Sequence, residues 1–191
     1  PVSVPPAPPP EPALVIASPA NFSAWVSLND TIMGGRSRAG CRPSAEGLDF
    51  EGEVVAEGGG FVSCRSPEFK PPLNLSAARG LRLRVDGGGR TLKLAVGCRD
   101  GVLGLTEFIP GGLRWVTAIP TLVEGTTVVD VPFSDLVPVI RAKPVALPVR
   151  FAPSAVTRLQ LLHSRFDEAG SPNPGFKPGP IRLLLRSIET F

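Results

Sequence analysis

The chain has no tyrosine, a single histidine and only two tryptophans, and each shortage weighs against a class of function. Single-stranded nucleic-acid sites stack bases on aromatic faces, and no aromatic residue is interleaved with the arginines here. Sugar sites use exposed tryptophan or tyrosine in the same way, whereas Trp25 and Trp115 both read as core or motif positions. One histidine supplies neither a ligand pair nor a triad with visible partners. His163, at the end of an apolar strand face, reads as a hydrogen-bonded structural residue. Cys41, Cys64 and Cys98 are odd in number and lack Cys-x-x-Cys spacing, so reduced, buried thiols are expected rather than a disulfide framework or a zinc site. Attachment of a chromophore or a redox switch is the alternative for them. No apolar run reaches the roughly 18–20 residues that cross a bilayer, so no transmembrane segment is expected.

Long helices are excluded too, because 23 prolines and 21 glycines interrupt the chain. Hydrophobic residues make up 42% of it, enough for one core in 191 residues, and the remaining pattern is that of an all-β fold with many turns. The net charge of +3 permits an acidic partner without requiring one. Residues 1–13 form a proline-rich stretch expected to be an extended arm, a linker or a tether along a partner's surface. Residues 14–191 are expected to form one antiparallel β-sandwich domain.

Short apolar runs separated by Gly, Pro, Asn and Asp support that assignment. Leu48 and Phe50 alternate with acidic neighbours. Gly58, Gly59 and Gly60 precede a strand from Phe61, which predicts a tight or bulged hairpin; without a following helix or a Lys-Ser/Thr pair they do not form a phosphate cradle. Leu81, Leu83 and Val85, the turn at Asp86, and Leu92, Leu94 and Val96 predict a second hairpin, with Arg82 and Arg84 on one face. Leu113, Trp115, Thr117 and Ile119 share a side, as do Val129, Val131 and Phe133, with Ser134 or Asp135 able to cap a short turn. Val137 to Pro153 reads as a long surface connection. Leu159, Leu161 and His163, then Ile181, Leu183 and Leu185, mark the last strands.

The scattered carboxylates Asp30, Asp86, Asp100, Glu107, Asp130 and Asp135 form no spaced acid pair, and no nucleophile with a base is visible, so no catalytic residue, cofactor or metal is assigned. Within Trp25 to Ser37, Asp30 and Thr31 suit main-chain hydrogen bonds. Gly34 and Gly35 let the backbone turn, and Met33 is adaptable enough to fill a gap beneath it.

That stretch, Trp25-x-x-x-Asn29-Asp30-x-x-Met33-Gly34-Gly35-x-Ser37, resembles the opening signature of the thirty-kilodalton complex I intermediate-associated protein family. Gly59-Gly60-Phe61-Val62-Ser63-Cys64-Arg65-Ser66, then Val131-Pro132-Phe133-Ser134-Asp135-Leu136, then Ser164-Arg165-Phe166 running to Asn173-Pro174-Gly175-Phe176-Lys177-Pro178-Gly179-Pro180 match in the same order. The last stretch is most similar to plastid and cyanobacterial members. The resemblance implies a galactose-binding-like jelly roll and a non-catalytic assembly factor or peripheral subunit of a large membrane-bound electron-transfer complex. Its partners would be protein subunits of that complex, at the thylakoid membrane of the chloroplast or, alternatively, in the mitochondrion. RNA or glycan binding is the other class of reading. Arg82, Arg84, Arg90 and Lys93 are candidate contacts, with Phe166, Asn173, Phe176 and Lys177 from the final loop.

Overall fold

Alternation with a period of two governs the molecule: Leu81, Leu83 and Val85 are fully buried while Arg82 and Arg84 between them are half-buried. A computed structural model describes residues 12–99, 112–141, 143–146 and 148–191, so nearly all of the proline-rich stretch lies outside the described residues. The strands are β1 (Val15–Ala17), β2 (Val26–Ser27), β3 (Arg38–Ser44), β4 (Gly47–Val54), β5 (Phe61–Arg65), β6 (Gly80–Asp86) and β7 (Thr91–Cys98). They continue with β8 (Leu113–Pro120), β9 (Thr127–Pro132), β10 (Val137–Ile140), β11 (Lys143–Pro144), β12 (Val156–Ser164) and β13 (Gly179–Thr190).

Two antiparallel sheets result. The first runs β3-β4-β13-β6-β9, with β1 beside the end of β13, and the second runs β11-β10-β8-β7-β12-β5-β2. Their inner faces enclose one core that includes Leu83, Leu92, Leu94, Ile119, Leu159 and Leu183. Burying each such side chain contributes about 1.5–3 kcal/mol, which is why the apolar alternation fixes the inward face of each strand. Strand β13 keeps its apolar side inward along its whole length by slipping register between Leu185 and Ser187, so Ile188 joins Leu185 in the core.

Both expected hairpins are instead crossings between sheets. β4 and β5 lie in different sheets, and so do β6 and β7. Each pair presents apolar residues to the same core from opposite sides, an arrangement that local periodicity cannot distinguish from a hairpin. The expected connection from Val137 also contains structure, because β10 pairs with β8 and buries Val139. Phe133–Asp135 forms the expected single turn, but no side chain caps it.

The expectation of three reduced thiols is overturned. Cys41 on β3 and Cys64 on β5 form a disulfide with their Cα atoms 6.0 Å apart, and Cys98 lies outside the bridge. The two are 23 residues apart in sequence, but their strands face one another across the core.

Candidate interaction surface

The signature around Trp25 is built on Asp30, whose carboxylate is fully buried. The Ser37 amide donates to its Oδ1 at 2.9 Å, and its Oδ2 accepts from the Ser37 hydroxyl at 2.7 Å and the Gly60 amide at 2.8 Å. A buried carboxylate is tolerated because these donors replace its water. The polypeptide then folds tightly around that acceptor. Residues Asp30–Met33 make one turn of 3-10 helix, Gly34 ends it with φ +83°, and a side chain on Gly35 would collide with the Asp30 carboxylate. Asn29 donates to the Ala39 carbonyl at 3.0 Å, and the ring of Trp25 packs edge-on against Phe22.

This rigid turn pushes Ile32 and Met33 outward, each 66% exposed. Met33 therefore does not fill a gap beneath the turn: the volume under it is taken by the Asp30 network. Both side chains border a groove of about 550 Å³ on the outer face of the second sheet. Its floor includes Ala95, Val116, Val139 and Leu162, which form an apolar cluster separate from the main core. Phe61 and Phe166 add aromatic surface, and Lys93, Arg114 and Arg141 add positive charge.

Arg114 is oriented by a relay of side chains. Its Nη1 donates to Gln160 Oε1, Gln160 Nε2 donates to Ser63 Oγ at 2.7 Å, and the Ser63 hydroxyl donates to the Leu28 carbonyl. Burial first, then the nearby Arg65 and Arg158, lowers the affinity of its guanidinium for a proton from the ordinary arginine value. Burial likewise holds the Lys93 ammonium below the usual lysine range, opposed by the carboxylates of Asp167 and Glu168. Sequence reasoning missed Ile32, Arg114, Gln160 and Leu162. The available signal was apolar residues at the outward positions of β8 and β12, where a solvated face carries polar ones.

The other candidate residues fall in several places. Arg82 and Arg84 project from the outer face of the first sheet, paired with Asp130 at 2.6 Å and Glu189 at 3.2 Å, while Lys93 projects from the second. Arg90, at the crossing, donates to the Pro180 carbonyl at 2.8 Å. The basic residues expected on one hairpin therefore do not share a surface. In the final loop, Asn173 is buried and its amide donates to the carbonyls of Thr91 and Ser164 at 3.0 and 2.9 Å. Phe176 stacks on His163, and Lys177 has an exposed side chain whose backbone amide donates to His163 Nε2 at 3.2 Å. Burial, ahead of the nearby Arg90 and Lys177 charges, lowers the His163 pKa to about 4. Phe166 lies under the guanidinium of Arg165 at 4.7 Å.

The remaining motif residues are structural in their contacts. Ser66 closes a short pairing with Leu159, its hydroxyl accepting from the Leu159 amide at 3.0 Å. Arg65 lies on β5, and Phe133 after Pro132 packs on Phe151, which meets Trp115. Asp135 is exposed. Among the described residues no group of three or more His, Cys, Asp or Glu is placed to hold a metal ion, and no helix is long and apolar enough to cross a membrane.

Two antiparallel sheets around one core, with loops carrying polar networks at the ends, define a galactose-binding-like jelly roll. The fold is similar to the family 11 carbohydrate-binding module of a cellulosomal cellulase of Clostridium thermocellum, at TM-score 0.66 and 9% identity over 94% of each chain. The same module in complex with a β-1,3-1,4-mixed-linked tetrasaccharide gives TM-score 0.64 and 10% identity over 94% of this chain and 95% of that one. An agarase matches at TM-score 0.51 and 10% identity over 94% of this chain and 24% of its own. No curated protein matches the chain in sequence. The family model for Complex I intermediate-associated protein 30 (CIA30) matches residues 14–185, and the chain belongs to that family.

Proposed function

We propose that the chain is a non-catalytic interaction module, acting as an assembly factor or peripheral scaffold subunit of a large membrane-associated electron-transfer complex. The observation that carries this reading is membership, across residues 14–185, of a family of complex I intermediate-associated proteins. The geometry accords with it. The signature residues hold a rigid turn that displays two apolar side chains, and such a preformed contact loses little entropy on docking.

Respiratory complex I is the partner that membership of this family suggests. A photosynthetic complex at the chloroplast thylakoid is the finer alternative, supported by the similarity of the Asn173 to Pro180 loop to plastid and cyanobacterial members. The disulfide between the sheets favours a compartment that is not strongly reducing.

Separation of gently solubilised source membranes by size tests the proposal. The chain is expected to travel with a respiratory or photosynthetic complex, in stoichiometric ratio if it is a subunit and with smaller immature particles if it is an assembly factor. The double variant Ile32→Ser and Met33→Ser should reduce that association by about tenfold, equivalent to about 1.4 kcal/mol of lost contact, without lowering the melting temperature. Migration of the wild-type chain alone would overturn the reading.

A further inference from the structure

The two outer faces of the sandwich differ in how they handle charge. On the first sheet, Arg82, Arg84 and Arg186 are each ion-paired, with Asp130, Glu189 and Asp86. On the second sheet, Arg65, Arg114 and Arg158 lie near one another around Gln160, and none of them forms an ion pair among the described residues. Next to them is the floor of Ala95, Val116, Val139 and Leu162, an apolar surface on the outside of a sheet. Lys93 is only 7% exposed, lines this groove, and makes no hydrogen bond or ion pair among the described residues. The carboxylates of Asp167 and Glu168 attract this ammonium without forming a salt bridge, so a nearly buried charge stays incompletely matched and gains from an anion that contacts it directly.

We propose that this groove binds one molecule of an anionic single-chain amphiphile, with its hydrocarbon chain on the Val116, Val139 and Leu162 floor and its carboxylate or phosphate head at Lys93 and Arg114. The volume of about 550 Å³ falls within the roughly 300–1,000 Å³ typical of small-molecule sites. It does not suit a helical peptide: a helix about 10 Å across takes about 80 Å³ per Å of length, so 550 Å³ holds little more than one turn. An extended peptide fares no better. The floor is the face of paired strands, whose ladder groups are already bonded, so the peptide's own amides would meet hydrocarbon. A sugar would find no tryptophan or tyrosine and no carboxylate among the groove's lining side chains.

Calorimetric titration of the full chain with laurate and dodecyl phosphate, below their aggregation concentrations, tests this. Saturable one-to-one binding is expected, at least about tenfold tighter than that of dodecyl maltoside, whose head is neutral. Arg114→Gln and Lys93→Gln should each weaken laurate about tenfold and leave dodecyl maltoside unchanged, while Arg84→Gln on the opposite face should change neither. Val116→Trp, which fills the floor, should abolish binding of both. If Lys93→Gln does not fold, as judged by its melting curve, Arg114→Gln, which lines the same groove, carries the charge test by itself.

The proposal is overturned by absence of saturable binding, by equal affinity for charged and neutral heads, or by wild-type affinity in Arg114→Gln. Tighter binding of an amphipathic Glu/Leu peptide than of laurate would also overturn it, moving the groove to protein recognition. The outcome is independent of co-migration with a membrane complex, which tests the proposed function separately.

Discussion

At the scale of single residues, Asp30 and His163 carry polar interactions where the surroundings are dry. Replacing Asp30 with alanine leaves the Gly60 and Ser37 amides without their acceptor in a buried site, while the Ser37 hydroxyl keeps the Val55 carbonyl. The expected loss is about 3–5 kcal/mol of unfolding free energy, read from urea denaturation; a change below about 1 kcal/mol would show that water replaces the carboxylate. His163 is neutral in the fold, its Nδ1 at 3.2 Å from the Thr91 carbonyl and its Nε2 accepting from Lys177. Its pKa falls from 6.5 to about 4, so the unfolded chain takes up a proton that the folded chain refuses between those values. The stability it supplies is complete above pH 6.5, declines as pH falls, and is gone by about pH 4, a total on the order of 3 kcal/mol. Unfolding free energy measured from pH 4 to 7 should show this slope in the wild type and a flatter one in His163→Gln. Equal slopes would remove the assignment. Asn173 and Phe176 were legible as important from the motif, but their inward orientation was not, because it depends on Thr91 and His163, which are remote in sequence.

At the scale of elements, β3 and β5 are joined by the Cys41–Cys64 bridge although they belong to different sheets. Closing a loop with a separation of 23 residues restricts the unfolded chain by about 3 kcal/mol in the chain-entropy model. Thiol titration of the oxidised, denatured chain should find Cys98 alone, and all three cysteines after reduction. The Cys41→Ala, Cys64→Ala double variant should unfold with about 3 kcal/mol less free energy than the oxidised wild type. Identical stabilities would show that the bridge does not constrain the unfolded state. The strands themselves were well marked: β4, β6, β7, β8, β12 and β13 all follow the apolar alternation read from the residues. Their pairing was not, since β6 and β7 look like a hairpin in sequence and lie in opposite layers in space.

At the scale of the whole molecule, a modest excess of positive charge is distributed unevenly: Arg82 and Arg84 form direct ion pairs on one outer face, whereas Lys93 and Arg114 line an apolar groove on the other. The association test with Ile32 and Met33 belongs to this scale, because the turn that exposes them is set by Gly60 and Ser37 from separate parts of the chain. The sequence alone determined the all-β class, the inward face of most strands, the absence of a long helix among the described residues and the family signature. Those properties depend on local spacing: a period of two and glycines at turns are written residue by residue. The tertiary structure decided which strands pair, which cysteines meet, that Met33 faces outward, and that Lys93, Arg114 and Leu162 share one groove. Each of these depends on the distance between segments far apart in the chain, and that distance is set by how two sheets close over a common core.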